Sequence, residues 1–283
     1  MTADAHASYA ALLAERFGQA APAGAAPQAD DLAALQRLLG RSTCRAYRPE
    51  PVAEPLLQAL LACAQSAPSK SDLQQYSIVV TDDAARLEIA SLLPAMPWIA
   101  EAPVFLVVCA DMRRNQRVCA LRERPHANDN LDTFLNCTVD AALALGFLVA
   151  AAEAAGLGCC PISYVRNHLP RITALLALPP GVFPIAGLCV GHPARRSPVS
   201  MRLPPAVVVH RGRYDDRRLA AEVAAYDERR HARQPIAPAK QKNADVYGTA
   251  ERCPWSDQVS RQLSRPERAG FRDFLRGHGF ELA

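Results

Sequence analysis

Residues 133–167 read TFLNCTVDAALALGFLVAAAEAAGLGCCPISYVRN. Between Asp140 and Glu153 every residue is apolar or glycine. A helix here is hydrophobic all the way round and is expected to be buried on all sides, as a core or subunit-interface helix. The run is shorter than the about 20 apolar residues that span a bilayer, which argues against membrane insertion. Gly156 suits the left-handed residue that closes a helix. Leu157-Gly158 then leads into the uncharged segment CysCysProIleSerTyr. Small residues and a proline there either turn the chain into a core strand or bring bare backbone up to a ligand.

Outward from this stretch, apolar runs of strand type occur at 77–83, 104–111, 183–193 and 206–214. Residues 104–109 are continuously apolar, as in a strand covered on both faces. Helical spacing appears at 8–18, from Asp31 to Leu39, from about Val52 to Gln65, after Pro170, and over 215–233 with Leu219, Val223 and Tyr226 inward. SerArgProGlu at 264–267 has the form of a capping box before a last helix with Phe271, Phe274 and Leu275 on one face. Helices alternating with strands indicate an α/β or α+β fold. Three segments follow: an arm and Ala/Pro/Gly linker at 1–30, a core at 31–214 and a helical extension at 215–283. The arm either drapes over the body or a partner subunit, or stays loose.

Composition narrows the function classes. The chain has 283 residues, 50% hydrophobic and 21% charged, and a net charge of +4 carried mostly by scattered arginines. That is a globular pattern without the clustered basic and aromatic residues of a nucleic-acid binder. The nine cysteines show no metal-ligand spacing and sit mainly in apolar runs. The acidic N-terminus has no basic leader region, so a reducing cytoplasm is the expected compartment. No G-x-G-x-x-G follows a strand, and P-loop, H-E-x-x-H and G-x-S-x-G are missing. A metal site is not expected.

Three polar clusters remain. Arg41, Ser42, Thr43 and Arg45 place two guanidiniums and two hydroxyls just after a helix end. This chemistry suits a phosphate, and equally a capped, solvated turn. Ser69, Lys70, Ser71 and Gln74 form a second patch between an apolar helix and an apolar strand, able to meet an oxygen- and nitrogen-rich ligand or to serve as an ordinary loop. In 195–204, Arg202 either completes a phosphate clamp or is solvated.

In order along the chain, RSTCRAY (41–47), APSKSDLQ (67–74), AGLGCCPISYVRN (155–167) and GLCVGHP…RLP (187–204) resemble the motifs of the nitroreductase/flavin reductase family. The resemblance covers roughly Asp31 to Arg213. The tail, with YDERR and WSDQVSRQLS, resembles the NADPH-preferring, oxygen-insensitive nitroreductase and NADPH-flavin oxidoreductase branch. It implies an α+β sandwich with a central mixed sheet around a buried central helix, as an intertwined homodimer with FMN at the interface. It also implies an oxidoreductase that carries hydride from NADPH or NADH through FMN, in ping-pong fashion, to a nitroaromatic, quinone or flavin.

By the same resemblance, Arg41, Ser42, Thr43 and Arg202 would hold the phosphate and ribityl end. Arg45 would face the N1–C2=O edge of the flavin, and Ser69, Lys70, Ser71 and Gln74 would line the cofactor. Pro161, Ile162 and Ser163 would lie against the ring with a backbone N–H toward N5. No side chain is then required as catalytic acid or base. Arg229, Arg230 and Arg233 either meet the 2′-phosphate of NADPH or end a solvated helix. The chain departs from the family pattern at Asp72 for asparagine, Ser200 for lysine, and Ser163-Tyr164 for a glycine pair. Other chemistries of the same fold, flavin fragmentation and reductive dehalogenation, stand as alternatives, as does a flavin-binding protein without turnover.

Overall fold

The computed structural model describes residues 2–19, 29–195 and 197–283. Most of the expected linker, 20–28, lies outside the described residues. Two compact units divide the chain: Met1–Arg41 with Pro198–Glu267, and Ser42–Ser197 with Arg268–Ala283. In chain order the elements begin with α1 (Thr2–Phe17), α2 (Ala29–Leu39), α3 (Glu54–Gln65), β1 (Tyr76–Val80), α4 (Asp83–Leu92) and α5 (Trp98–Glu101). They continue with β2 (Val104–Asp111), α6 (Arg113–Leu121), α7 (Leu131–Ala154), β3 (Gly158–Ile162), α8 (Leu169–Leu175) and β4 (Val182–Gly191). The last are α9 (Pro205–Val208), α10 (Leu219–Arg233), α11 (Ala244–Tyr247), α12 (Trp255–Leu263) and α13 (Phe271–Gly277).

The second unit is built on a four-stranded sheet in the order β1-β2-β4-β3. All its strand pairs are antiparallel, and the parallel component of the expected mixed sheet is the isolated bridge between Thr43 and Cys159. As its apolar run requires, β2 is covered on both faces. Phe105, Val107 and Cys109 join Ile89, Ile99 and Ile172 from α4, α5 and α8. Leu106 and Val108 face the other way, toward α3 and α7. Phe183 on β4 stacks on Phe134 of α7 and meets Phe271 and Phe280 edge-on, which seats the last helix against the sheet.

Helix α7 spans the stretch that opened the sequence reading, with one correction. Its buried positions include Cys137, Asp140, Ala141, Ala144, Leu148 and Ala152. Leu131, Leu135, Val139, Leu143 and Phe147 are exposed, at 58%, 55%, 46%, 36% and 42%. These five lie four residues apart and form one stripe, so the helix is buried on one side only. By length and composition this 24-residue helix is apolar enough to cross a membrane, a test that the core helix of a sheet protein also passes. The helix closes as expected at Gly156, with φ +81°. The N–H groups of Leu157 and Gly156 return to the carbonyls of Ala152 and Glu153, the Schellman pattern.

In the first unit, α1 packs on α2, and α10 packs on α9 and α12. Tyr226 of α10 is buried edge-on against Trp255. Leu219 is 45% exposed rather than inward. The strand expected at 206–214 is instead the short helix α9 followed by loop. Pro204 and Pro205 supply no N–H to a ladder, whereas proline fits the first turn of a helix. The capping box at 264–267 starts no helix. Ser264 Oγ donates to Arg261 O at the end of α12, 2.7 Å, and α13 begins only at Phe271.

Candidate functional site

Within the sheet unit, residues 42–48 run extended along β3. Cys44 N donates to Cys159 O at 2.9 Å, and Arg48 N and Ala194 N bond to His192 O and Ala46 O, each at 2.9 Å. Tyr47 is buried, with its hydroxyl donating to Cys44 O at 2.8 Å. Gly158 makes this approach possible, since a Cβ there would lie 2.6 Å from both Cβ and Sγ of Cys44. Thr43 and Arg45 are thereby brought to the strand that carries Pro161 and Ile162. Arg45 is exposed and its guanidinium carbon sits 5.4 Å from the ring centroid of Trp98. Burial pushes the neighbouring Cys160 thiol up, while the charge of Arg45 and hydrogen bonding from Trp98 and Arg45 oppose this. Pro161 and Ser163 are exposed, whereas the Ile162 side chain is buried in the core. At Ile162, therefore, only backbone is available to a flavin.

The second cluster is organised by a residue the sequence reading did not single out. Asp140, 1% exposed on α7, accepts hydrogen bonds from Ser69 Oγ at 2.7 Å, Lys70 N at 3.1 Å and Gln75 N at 3.0 Å. The Ser69 hydroxyl in turn accepts from Gln74 N at 2.7 Å. Held between these anchors, Ser71, Asp72 and Gln74 adopt φ of +47°, +58° and +51°. Non-glycine residues occupy this left-handed region at a cost of about 1–3 kcal/mol each. Charge-assisted hydrogen bonds of about 1.5–3 kcal/mol each to the buried carboxylate offset it. Arg114 adds two further bonds, to Gln74 O at 2.6 Å and Tyr76 O at 2.9 Å.

Ser69 is thus spent on holding the loop, and Lys70 Nζ donates to Asp132 at 3.0 Å, keeping that carboxyl below its ordinary range. Ser71 and Gln74 are exposed, and Gln74 Nε2 donates to Asp72 Oδ1 at 3.0 Å. A lone acid inside an apolar helical run was the available signal for Asp140, because such a carboxylate must find donors.

Arg41 and Arg202 belong to the other unit. There a second residue unremarked in the sequence reading, Arg16 of α1, is 6% exposed. Its guanidinium donates to Leu39 O at 2.6 Å, Arg41 O at 2.6 Å and Ser200 O at 2.7 Å. Its own carbonyl accepts from Arg202 N at 2.8 Å. Through Arg16, α1 is therefore tied to α2 and to residues 200–202.

Of the expected 2′-phosphate cluster on α10, Arg229 and Arg230 are half-buried and Arg233 is exposed. Arg230 donates to Gln234 Oε1 at 3.0 Å and Arg233 to Ala14 O at 3.1 Å. Nε and Nη2 of Arg229 are buried without partners. Open cations of this unit line a cavity of about 560 Å³ formed by Ala206–Leu219, where Arg211 and Arg213 have no hydrogen-bond or ion-pair partner among the described residues. No group of three or more metal-ligating side chains converges among the described residues.

Comparison with known proteins agrees with the motif order. The model of the nitroreductase family matches residues 38–192, and that of the nitroreductase family C-terminal domain matches 200–283. The chain is 35% identical over 254 residues to an FMN reductase [NAD(P)H] of Bacillus subtilis, covering 88% of this chain and 98% of the relative. It is 33% identical to an oxygen-insensitive NADPH nitroreductase of Salmonella typhimurium, covering 87% and 97%. The solved structure of the hypothetical oxidoreductase YcnD from Bacillus subtilis superposes with a TM-score of 0.79 at 35% identity, covering 87% of this chain and 97% of that one.

Proposed function

The chain belongs to the nitroreductase family, and on that premise we propose that it is an FMN-dependent NAD(P)H oxidoreductase reducing a small nitroaromatic, quinone or flavin by a ping-pong mechanism. The pairing of residues 42–47 with β3 carries this reading, because it joins two motifs distant in sequence along one edge of the sheet. The donor set fits the cofactor. Arg41 and Arg202 offer planar cations to a phosphate, Ser42 and Thr43 add hydroxyls, and Lys70, Ser71 and Gln74 stand exposed for the polar ribityl and ring edges.

Bound FMN supplies the hydride chemistry. The protein's part is to bind and orient. Arg45 would offer a positive charge to the flavin edge that becomes negative on reduction, and the loop at 69–75, tied to Asp140, would present its backbone to the cofactor. Ser69 acts in this scheme as a support of the loop through Asp140. For the donor, Arg211 and Arg213, exposed and without partners among the described residues, offer charge to the 2′-phosphate of NADPH.

The outward stripe of α7 supports a homodimer. Five half-exposed apolar side chains in one line forgo part of the about 1.5–3 kcal/mol that full burial of each would give. Gly146 lies in this region with nothing within 4 Å of a built Cβ, leaving room for a second copy. All nine cysteines are free, which supports a reducing, cytoplasmic setting.

The first test is the visible absorption spectrum of the purified protein before and after anaerobic addition of NADPH. A two-banded flavin spectrum that bleaches with NADPH and recovers with a quinone supports the reading. A colourless protein that takes up no added FMN overturns it.

A further inference from the structure

Helix α1 lies outside both matched family spans, which begin at residue 38 and resume at 200, yet it carries a buried side chain with four hydrogen bonds. Arg16 is 94% buried by its 6% exposure, and all three guanidinium nitrogens donate hydrogen bonds. Nε and Nη2 close on the last carbonyl of α2, Leu39 O, at 3.2 and 2.6 Å. Nη2 also reaches Arg41 O at 2.6 Å, and Nη1 reaches Ser200 O at 2.7 Å. The Arg202 N–H returns to Arg16 O at 2.8 Å. One side chain therefore fixes two backbone segments, 39–41 and 200–202, that are remote in sequence. Each of these segments carries one of the two arginines assigned above to the cofactor phosphate.

We propose that Arg16 is a positioning residue for cofactor phosphate binding, acting through the backbone of Arg41 and of Ser200–Arg202. This rests on the phosphate assignment made above. The physical reason is geometric. A guanidinium donates along fixed directions to three carbonyls at once, whereas a lysine ammonium is a point charge that holds no such fork. With the two backbones pinned, Arg41 and Arg202 lose less conformational freedom on closing around a phosphate. The arm accordingly contributes affinity without touching the ligand.

The test is flavin binding to the full-length chain, stripped of flavin and titrated by fluorescence with FMN and with riboflavin, which lacks the phosphate. R16A is expected to weaken FMN binding about tenfold and to leave riboflavin binding unchanged, with R16K rescuing only in part. R16K reads the same FMN-to-riboflavin ratio should the alanine variant not fold. R41A is the control for the phosphate assignment. If R41A weakens FMN selectively while R16A and R16K leave the ratio at the wild-type value, Arg16 has no positioning role. If R16A weakens FMN and riboflavin by the same factor, its part is structural only, and the proposal fails. If R41A itself leaves the ratio unaltered, the phosphate assignment fails, and this inference falls with it.

Discussion

The two faces of α7 are almost equally apolar but have opposite surroundings. The inner face packs Cys137, Ala141, Ala144 and Leu148 against strands and α3 and buries one charge, Asp140. The outer face leaves Leu131, Leu135, Val139, Leu143 and Phe147 between 36% and 58% exposed. Small residues mark the inner face and large ones the outer. A helix that must lie close to a sheet uses alanine, while one that reaches for a separate surface uses long side chains. Total hydrophobicity does not distinguish the two roles; side-chain volume does.

The largest expected effect comes from the outer face. Phe147→Glu, alone or with Leu143→Glu, is expected to convert the proposed dimer to monomer while the far-ultraviolet circular dichroism is retained, as read by light scattering after gel filtration. A dimer that survives both changes would place the interface elsewhere and leave the stripe unexplained.

On the inner face, Asp140→Ala deprives Ser69, Lys70 and Gln75 of their acceptor and is expected to cost about 3 kcal/mol in urea unfolding. Asp140→Asn, which keeps one acceptor oxygen and loses the charge, should cost roughly half of that. Both should release the left-handed residues Ser71, Asp72 and Gln74 and weaken flavin binding. Unchanged amide exchange in 69–75 would show that Arg114 alone holds the loop.

The smallest effect sharpens the contrast in burial. Burial pushes the Cys137 thiol up to about 12. In the unfolded chain the thiol ionises near pH 8.5. A group raised in this way stabilises fully below its unfolded value and progressively less as pH rises toward its folded one. Stability should therefore fall by about 2 kcal/mol from this group by pH 10. Urea titrations of wild type and Cys137→Ala over pH 7–10 give the two slopes, and equal slopes would refute the assignment.

Much of the fold was legible because the relevant signals are local. The apolar run at 104–111 became β2 with those bounds, and Gly156 closed α7 where a left-handed residue was needed. The strand expected at 206–214 failed because an apolar run says nothing about whether a neighbouring ladder exists, and Pro204-Pro205 set the first turn of the short helix α9 instead. For the site, the residue types of the four motifs were readable, but the use made of each was not. Ser69 looked like a ligand group and is a loop anchor; Ile162 looked like a ring contact and faces the core.

By itself, then, the sequence determined α2, α3, α7 and α10, the strands β1, β2 and β4, the order of the motifs and the family they resemble, because propensity, periodicity and capping act over a few residues. Only the tertiary structure decided which face of α7 stays open and which donors Asp140 collects. It likewise decided that Arg16 joins the backbones of Arg41 and Ser200. Such contacts depend on which distant segments the packed core brings within hydrogen-bond reach, and no local pattern encodes that distance.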